Sequence, residues 1–266
     1  MENKDSKFKS DPYNFSNFLI QENDILNIMK SLNIQDFKIN NLSFYQQAFV
    51  HKSYTKLKDY EEFKKPDNCL PLFDLSYETI EFLGDSLLGT TIAKYLYKRY
   101  ITFNIDEGFL TKLKIRFVCG EQLAFLSKQL NFKKYMIISK HIEENCNGRE
   151  NMNILEDIFE AFIGAILLDT NNLDLVEQFI IQCIESFVDF SDVILNDNNY
   201  KDQILRYFQH NFKIHPTYRT EKQESTNLFI CKIFKGNEYI QSGEGISKKK
   251  AEQAASKNAL IFYHVL

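Results

Sequence analysis

The sequence predicts a mainly α protein, in which an all-helical domain is followed by a small α+β module of order α-β-β-β-α. Only 4 Pro and 9 Gly occur among 266 residues, a composition that favours helices joined by short connections. Before residue 190, apolar residues recur mainly at helical spacing, whereas after residue 200 strand-like runs lie between two helical segments. With 24 Phe and 14 Tyr the chain can bury real cores, which excludes disorder throughout.

The helices and strands are predicted from the period of their apolar residues. Two short helices are expected within residues 23–53, and longer helices of the first domain follow at residues 77–99, 107–129, 152–168 and 173–187. Residues 54–76 show no sustained period and are interpreted as a long loop or an insertion. In the second domain we expect a helix, three strands and a final helix, at residues 201–212, 216–223, 227–234, 238–243 and from 248 onward.

Domain boundaries follow from changes in composition. Residues 1–20 are polar and are expected to be a mobile N-terminal extension ahead of the helical domain at residues 21–190. Residues 191–199, rich in Asp and Asn, are interpreted as a linker to the α+β domain at residues 200–266. From Asn199 onward 11 Lys and Arg face 6 Asp and Glu, a net charge of +5, whereas the rest of the chain carries −9. This asymmetry predicts a polyanionic partner for the second domain.

The cysteines and the lack of a long apolar segment indicate the cellular setting. Five cysteines are scattered and never form a C-x-x-C pair: Cys69, Cys119, Cys146, Cys183 and Cys231. Neither a disulfide framework nor a zinc site is indicated. The first residues lack the apolar stretch of a secretory signal, and the apolar run at residues 158–168 is too short to span a bilayer. We expect an intracellular protein, cytoplasmic rather than nuclear, with no membrane partner.

Acidic residues occur on two helices that are otherwise strongly apolar. In the first, Glu78, Glu81 and Asp85 stand at i, i+3 and i+7, and therefore on one helical face. In the second, Asp157 and Glu160 lie one turn apart among isoleucines and phenylalanines. Carboxylates in such surroundings need a cation, a hydrogen-bond donor or a proton. Two facing pairs would form a hard oxygen site suited to Mg²⁺ or Mn²⁺, with solvated faces of amphipathic helices as the alternative.

Three glycines lie inside these helical patterns, where each costs about 1 kcal/mol relative to alanine. Gly84 and Gly89 belong to the first acidic helix, and Gly164 belongs to the second. Close packing of helices is the usual compensation, so a structural role is favoured at least as much as a functional one.

Four motifs resemble those of the ribonuclease III family, in the family's order and over roughly residues 40–190. The segment YETIEFLGDSLL resembles the signature helix N-E-R-L-E-F-L-G-D-S, and EDIFEAFIGAILLD resembles the second acidic motif D-x-x-E-A-L-I-G-A-x-x-L-D. DEGFLTKLKIRFV is similar to E-G-x-L-S-x-L-R-A-x-L-V, and AFVHKS is similar to A-L-T-H-R-S. The resemblance implies an all-helical endonuclease domain that acts as a homodimer, with Mg²⁺ as cofactor and Mn²⁺ as a substitute.

The resemblance also implies roles for the acidic residues. Three positions match the family's metal ligands: Glu81, Asp157 and Glu160. Asp85 would complete the catalytic and metal-binding set by ordering water around the ion. Glu78 and Glu107 match two further acids that assist near the cleft. Products with 5′-phosphate and 3′-hydroxyl ends are implied as well.

Some positions depart from the family's pattern. The signature's Asn and Arg are Tyr77 and Thr79 here, and Glu156 stands where the second motif usually has Ala. The loop at residues 54–76 is longer than the short bacterial connection. Because every metal-binding carboxylate is in place, these departures bear on substrate preference more than on chemistry. His51 matches a family histidine, for which a packed or hydrogen-bonded structural role is favoured.

A lysine-rich helix start lies near the end of the second domain. Ser247 is a good N-cap, and the apolar residues that follow recur at helical spacing. Lys248, Lys249 and Lys250 occupy the first turn, where the helix dipole disfavours cations by up to about 1 kcal/mol each. A bound phosphate would offset this cost, with an ordinary solvated lysine run as the alternative.

The second domain resembles the double-stranded RNA-binding domain over its full length, with the ending S-K-K-x-A-E-x-x-A-A. That module reads the shape of A-form RNA through phosphates and 2′-hydroxyls. Two of its usual contact regions are altered. Leu205 and Arg206 replace a frequent Gln-Glu pair, and the QESTN loop lacks the usual Gly-Pro-x-His. The expected RNA contacts therefore lie mainly at Ser247 and the three lysines.

These patterns together predict a Mg²⁺-dependent endoribonuclease that cuts double-stranded RNA as a homodimer through its nuclease domain. Two alternatives stay open: a catalytically silent protein that sequesters duplex RNA, and a structural subunit of an RNA-processing assembly. The complete four-carboxylate set argues against a silent site, because charges in apolar surroundings are costly to keep.

Overall fold

A computed structural model describes residues 10–103, 105–195, 199–223 and 226–266. The chain divides into two compact units, Met1–Val193 and Ile194–Leu266. The first unit is helical, and the second combines two helices with a three-stranded sheet, which confirms the predicted fold class. Within the described ranges, no helix combines the length and the apolar character that crossing a membrane requires.

The helices of the first unit surround one buried helix. Its described helices are α1 Glu22–Ser31, α2 Leu42–Gln47, α3 Glu78–Tyr100, α4 Glu107–Phe117, α5 Gly120–Gln129, α6 Lys140–Asn145, α7 Met152–Thr170, α8 Leu173–Phe187 and α9 Phe190–Leu195. Apolar residues occur all around α7, which is therefore buried on most sides. Helices α2, α3, α5 and α8 pack against it, and Leu88, Phe162 and Phe179 lie in the shared core.

The prediction of one helix at residues 107–129 is wrong, because α4 and α5 occupy this stretch. The backbone at Cys119 is extended, and Gly120 begins α5. A Cβ atom at Gly120 would lie 2.2 Å from Glu156 Oε2, so this long side chain of α7 packs directly against the start of α5. The apolar pattern continues through this stretch, so it does not reveal the extended residue that separates the two helices.

Helices α6 and α9 fall outside the predicted elements. The α9 helix lies mostly in the stretch interpreted as a linker. Its first residue, Phe190, packs on Phe117 with 5.1 Å between ring centroids, and the Arg99 guanidinium lies 4.2 Å from the Phe190 ring. These contacts hold the start of α9, just before the expected linker, against the first unit. Residues 196–198 lie outside the described residues.

The described part of the N-terminal extension packs on the first unit, which differs from the mobility expected for residues 1–20. Tyr13 and Ile20 are buried. The side-chain amides of Asn14 and Asn17 both donate to the Ile138 carbonyl, at 3.1 and 2.9 Å. The polar residues that suggested mobility therefore form buried hydrogen bonds to the main chain. Residues 1–9 lie outside the described residues.

Residues 54–76 form a closed loop with an apolar interior. Its ends are joined where Lys56 N donates to Phe73 O at 2.8 Å and Phe73 N donates to Tyr54 O at 3.1 Å. The hydroxyl of the fully buried Tyr54 donates to the Leu70 carbonyl at 2.9 Å. Contacts within the loop therefore fix its path, although its sequence shows no period.

The second unit has the predicted α-β-β-β-α order: α10 Tyr200–Phe212, β1 Thr217–Lys222, β2 Phe229–Lys235, β3 Glu238–Gly245 and α11 Lys248–Phe262. The strands form an antiparallel sheet of order β1-β2-β3, in which Cys231 pairs with Thr220 on one side and Gly243 on the other. Helix α11 packs closely on the sheet, since a Cβ atom at Gly243 would lie 2.1 Å from Ala255 N. Phe208 of α10 lies in the core between them.

Candidate active site

Two glycines bring the acidic helices α3 and α7 into backbone contact. A Cβ atom at Gly84 would lie 1.7 Å from the Glu160 carbonyl oxygen, and one at Gly164 would lie 2.3 Å from the Ile80 carbonyl oxygen. The predicted packing role is confirmed for these two glycines. It is wrong for Gly89, where a Cβ atom would meet only the Lys114 side chain at 3.9 Å. The close approach places the acidic residues of both helices at one junction.

Glu160 is the most deeply buried of the acidic side chains at this junction. It is 7% exposed and lies in the middle of the apolar helix α7. Burial raises the pKa of Glu160 to about 8, and the negative charges of Asp85, Glu156, Glu81 and Asp157 add to this effect. The negative charges of the three other predicted carboxylates therefore act on Glu160.

Glu81 and Asp157 are half-buried beside Glu160. Desolvation raises the pKa of Glu81, and the neighbouring charges of Asp157, Glu78 and Asp85 raise it further. Desolvation also raises the pKa of Asp157, while the Tyr77 hydroxyl, which donates to Asp157 Oδ2 at 2.8 Å, opposes that rise. The ionised forms of Glu81 and Asp157 are thus costly in free energy, and a bound cation would lower that cost.

Three of the carboxylates have no stabilising partner within the described ranges. There, neither a hydrogen-bond donor nor a basic side chain contacts Glu81, Asp85 or Glu160. In the same ranges, no group of three or more His, Cys, Asp or Glu side chains is gathered tightly enough to hold a metal ion by itself. The predicted carboxylates therefore share a junction without converging on one point. A divalent cation fits this donor set, because it would offset the repulsion between hard oxygen ligands.

The two further predicted acids lie in different surroundings. Glu78, the first residue of α3, accepts from Lys52 Nζ at 3.1 Å and from Ser76 Oγ at 3.2 Å. The hydrogen bond from Lys52 lowers the pKa of Glu78, so this carboxylate is already compensated. Glu107, the first residue of α4, is exposed and accepts from Thr111 Oγ1 at 2.7 Å. No contact in the described ranges joins Glu107 to the junction.

His51 has the structural environment that the sequence favoured. Burial lowers the pKa of His51 to about 4, with the positive charge of Lys52 as a second cause. Its Nδ1 accepts from Ser53 N at 3.1 Å and caps the short 3₁₀ turn Lys52–Tyr54. A neutral imidazole in this position stabilises the turn.

Two residues at the junction were not predicted as site residues. Tyr77 and Glu156 appeared in the sequence only as departures from the family's pattern. The structure places the Tyr77 hydroxyl on Asp157 and the Glu156 carboxylate against Gly120, where its charge also acts on Glu81 and Glu160. The departures themselves were the signal that could have identified them, because both fall within or beside the carboxylate motifs.

The start of α11 combines a side-chain cap with three exposed lysines. Ser247 caps the helix by accepting from Lys250 N at 3.3 Å, and Lys248, Lys249 and Lys250 are all exposed. In α10, Leu205 is half-buried and Arg206 forms an ion pair with Asp202. Residues 224 and 225 of the QESTN loop lie outside the described residues.

The fold and the site together define a helical nuclease domain with a carboxylate junction, joined to a module for binding double-stranded RNA. A family model described as Ribonuclease-III-like matches residues 41–185, and another described as double-stranded RNA binding motif matches residues 200–262. The chain belongs to the ribonuclease III family, the metal-dependent endoribonucleases of double-stranded RNA. The family and enzyme class predicted from the four motifs are thereby confirmed.

Individual relatives agree with this assignment. The chain is 35% identical over 251 residues to the probable ribonuclease 3 of Acanthamoeba polyphaga mimivirus. The matched region is 92% of this chain and 46% of that protein. It is 31% identical over 233 residues to ribonuclease 3 of Staphylococcus haemolyticus, and the matched region is 86% of this chain and 89% of the bacterial protein. The chain thus spans about half the length of the viral relative and most of the bacterial one.

A solved structure shows the same fold for the first unit. The nuclease domain of ribonuclease III from Campylobacter jejuni is 24% identical to this chain, with a TM-score of 0.50. The match covers 64% of this chain and 99% of that domain.

Proposed function

We propose that the chain cleaves double-stranded RNA with Mg²⁺ bound at the α3–α7 junction, with Mn²⁺ as a substitute. The observation that carries this proposal is the burial of Glu160 beside other carboxylates without a donor in the described ranges. Such a group is stable as an ion only next to a cation. When bound, the divalent ion would activate water and stabilise the leaving oxygen of the phosphodiester.

Each carboxylate has a proposed part that follows from its position. Glu81, Asp157 and Glu160 would hold the ion, since they are the more buried members and lie on both sides of the junction. Asp85 is exposed and lies one turn beyond Glu81, so it would orient water at the solvent side of the ion. Glu78 would assist from the rim through its ion pair with Lys52. Glu107 would assist only if substrate brings α4 to the junction.

The second unit would hold the duplex. The exposed Lys248, Lys249 and Lys250 surround the amide groups at the start of α11, where phosphate oxygens can accept from both. This recognition depends on backbone charge and A-form shape and has little base specificity. Cleavage would then leave 5′-phosphate and 3′-hydroxyl ends.

We also propose that two copies associate through α3. Phe82, Ser86, Ala93 and Tyr97 fall on one exposed face of this helix, and Phe82 is 75% exposed. This uncharged face adjoins Glu81 and Asp85, so a second copy docked on it would place two junctions side by side. That arrangement suits a substrate with two strands. Light scattering on a sizing column should give a dimer, and Phe82→Asp should shift the mass to that of one chain.

A cleavage assay tests the proposed chemistry. A perfect RNA duplex should be cut in Mg²⁺ and left whole in EDTA. Asp85→Asn and Glu160→Gln should each lower the cleavage rate by about 1000-fold or more while the variants still fold and bind duplex RNA. Ligation of the products to acceptors that require 5′-phosphate or 3′-hydroxyl ends would identify the termini.

The outcomes separate the enzyme from the silent alternative. Duplex bound but uncut in Mg²⁺ would favour a protein that sequesters RNA. Equal cleavage by the wild-type protein and both variants would exclude the carboxylates as the active site. A matched control is Glu22→Gln, which removes an exposed carboxylate at the start of α1, outside the junction, and should retain wild-type activity.

A further inference from the structure

Tyr77 makes a buried contact with one of the proposed metal ligands. It lies immediately before α3, is 2% exposed, and donates its hydroxyl to Asp157 Oδ2 at 2.8 Å. The ribonuclease III signature written above has Asn at this position. A tyrosine hydroxyl reaches farther from the backbone than an asparagine amide, so this chain supports the Asp157 carboxylate from the residue that precedes α3.

The backbone and ring of Tyr77 are fixed from several sides. Its amide donates to the Val50 carbonyl at 2.8 Å, and its carbonyl accepts from Ile80 N and Glu81 N at 2.9 Å each. Its ring lies 5.9 Å from the His51 ring, centroid to centroid. With both backbone groups bonded and the ring buried, the hydroxyl has little freedom to follow a moving carboxylate. It sets the orientation of that carboxylate instead.

The contact engages only one of the two Asp157 oxygens. Among the described residues, no other hydrogen bond or ion pair reaches this carboxylate. Oδ1 carries no hydrogen bond and is therefore the oxygen more open to a cation, and turning Oδ2 away from Tyr77 would cost the hydrogen bond. Groups that hydrogen-bond to ligating carboxylates typically change metal affinity by about 10–100-fold when removed.

We propose that Tyr77 is a positioning residue of the metal site, which holds Asp157 as a one-oxygen ligand by occupying Oδ2. This inference rests on the proposed function of the α3–α7 junction. Tyr77 does not touch the reacting phosphate. It acts through Asp157, and its hydrogen bond links the residue before α3 to α7.

A purely structural role would give a different result, and the chain contains a control for it. Tyr135 donates its hydroxyl to Asp24 Oδ1 at 2.9 Å and is also buried, in the same unit but outside the junction. Tyr77→Phe and Tyr135→Phe each remove one hydroxyl from one Tyr–Asp pair. Only the first is expected to change metal binding.

The test measures Mn²⁺ binding to the full chain without RNA, by isothermal titration and by the Mn²⁺-dependent rise in Tm. Tyr77→Phe should weaken Mn²⁺ binding by about 10–100-fold and reduce the rise in Tm, whereas Tyr135→Phe should match the wild-type protein. In cleavage assays, Tyr77→Phe should lower kcat at limiting Mn²⁺, recover at high Mn²⁺, and leave KM for the duplex unchanged. Tyr77→Asn, a second variant without the phenol, should also bind Mn²⁺ more weakly than the wild-type protein.

The outcomes distinguish the positioning role of Tyr77 from the proposed metal site on which it depends. If Asp157→Asn loses Mn²⁺ binding but both Tyr77 variants keep wild-type affinity, Tyr77 has no positioning role and the metal site stands. If Tyr135→Phe weakens binding as much as Tyr77→Phe, the effect is one of general stability and the inference fails. If the wild-type protein does not bind Mn²⁺, or Asp157→Asn binds it equally well, the proposed metal site fails.

Discussion

Glycines allow close packing at both the acidic junction and the lysine-rich start of α11, but an acidic side chain is buried at the first region and basic side chains are exposed at the second. Glycines bring backbones into contact in both: Gly84 and Gly164 between α3 and α7, and Gly243 and Gly245 between β3 and α11. At the junction, Glu160 is buried among like charges. At the start of α11, by contrast, three neighbouring lysines are exposed to solvent.

This difference predicts how substitutions in each region should affect function. A carboxylate buried among like charges keeps a proton until a cation binds, and its position is fixed by its surroundings. Exposed lysines lose little free energy by lying together, because solvent and salt screen them. We therefore expect abrupt loss of function from single substitutions at the junction, and graded, salt-dependent loss from substitutions at the start of α11.

The largest effect should come from the backbone contact beneath the junction. Gly84→Ala places a Cβ atom 1.7 Å from the Glu160 carbonyl oxygen, so α3 and α7 must separate. We expect the free energy of unfolding to fall by about 3 kcal/mol or more, with loss of cleavage. Urea denaturation followed by circular dichroism would measure it.

Gly89→Ala, on the same helix, is the matched control for that substitution. A Cβ atom there meets only the Lys114 side chain at 3.9 Å. This variant should gain about 0.5–1 kcal/mol, because alanine restricts the unfolded chain more than glycine does. A similar free energy of unfolding for the two alanine variants would show that the close contact does not support the junction.

A smaller effect is expected from removing the lysine charges of α11. Replacing Lys248, Lys249 and Lys250 together by alanine should weaken duplex binding by about 10–100-fold at physiological salt, because three phosphate contacts are lost. The slope of log affinity against log salt should fall by about 3. Filter binding over a salt series would measure both, and kcat at saturating RNA should not change.

Lys235→Ala serves as the comparison, since Lys235 lies on the β2–β3 hairpin and pairs with Glu238. It should leave the salt slope unchanged. If the triple variant lost binding without a change in slope, its effect would come from a damaged helix start instead of lost phosphate contacts.

The smallest effect is the pH dependence that Glu160 gives to stability. Its pKa is about 8 in the folded chain and is expected to return to about 4.5 on unfolding. Between these values the folded protein keeps a proton that the unfolded chain has lost, so raising the pH lowers the free energy of unfolding. In EDTA we expect a decrease of about 1–3 kcal/mol from pH 5 to pH 8.

Glu160→Gln should remove most of this decrease, because glutamine does not titrate and only the smaller contributions of Glu81 and Asp157 stay, whereas Glu107→Gln, at an exposed position, should retain it. Urea denaturation at four pH values would compare the three proteins. If the free energy of unfolding changed with pH equally in the wild-type protein and Glu160→Gln, Glu160 would be ionised at neutral pH even without a cation. The contrast between the buried carboxylate and the exposed lysines would then be weaker.

Residue types and spacing determined much of this protein. The periods of 3.6 and 2 predicted the longer helices and the three strands, because each element must turn its apolar side to a core. The spacing of Glu81 and Asp85, and of Asp157 and Glu160, placed each pair on one helical face before any tertiary information. The separation of an acidic unit from a basic one was also visible in the charge count.

Only the tertiary structure decided which side chains meet across helices. Glu156 of α7 meets Gly120 at the start of α5, and the support of Asp157 depends on Tyr77, which is 80 residues away along the chain. The packing of Asn14 and Asn17 on Ile138 is of the same kind. Helical and strand periods arise from local geometry and can be read along the sequence, whereas these contacts depend on how whole helices approach one another.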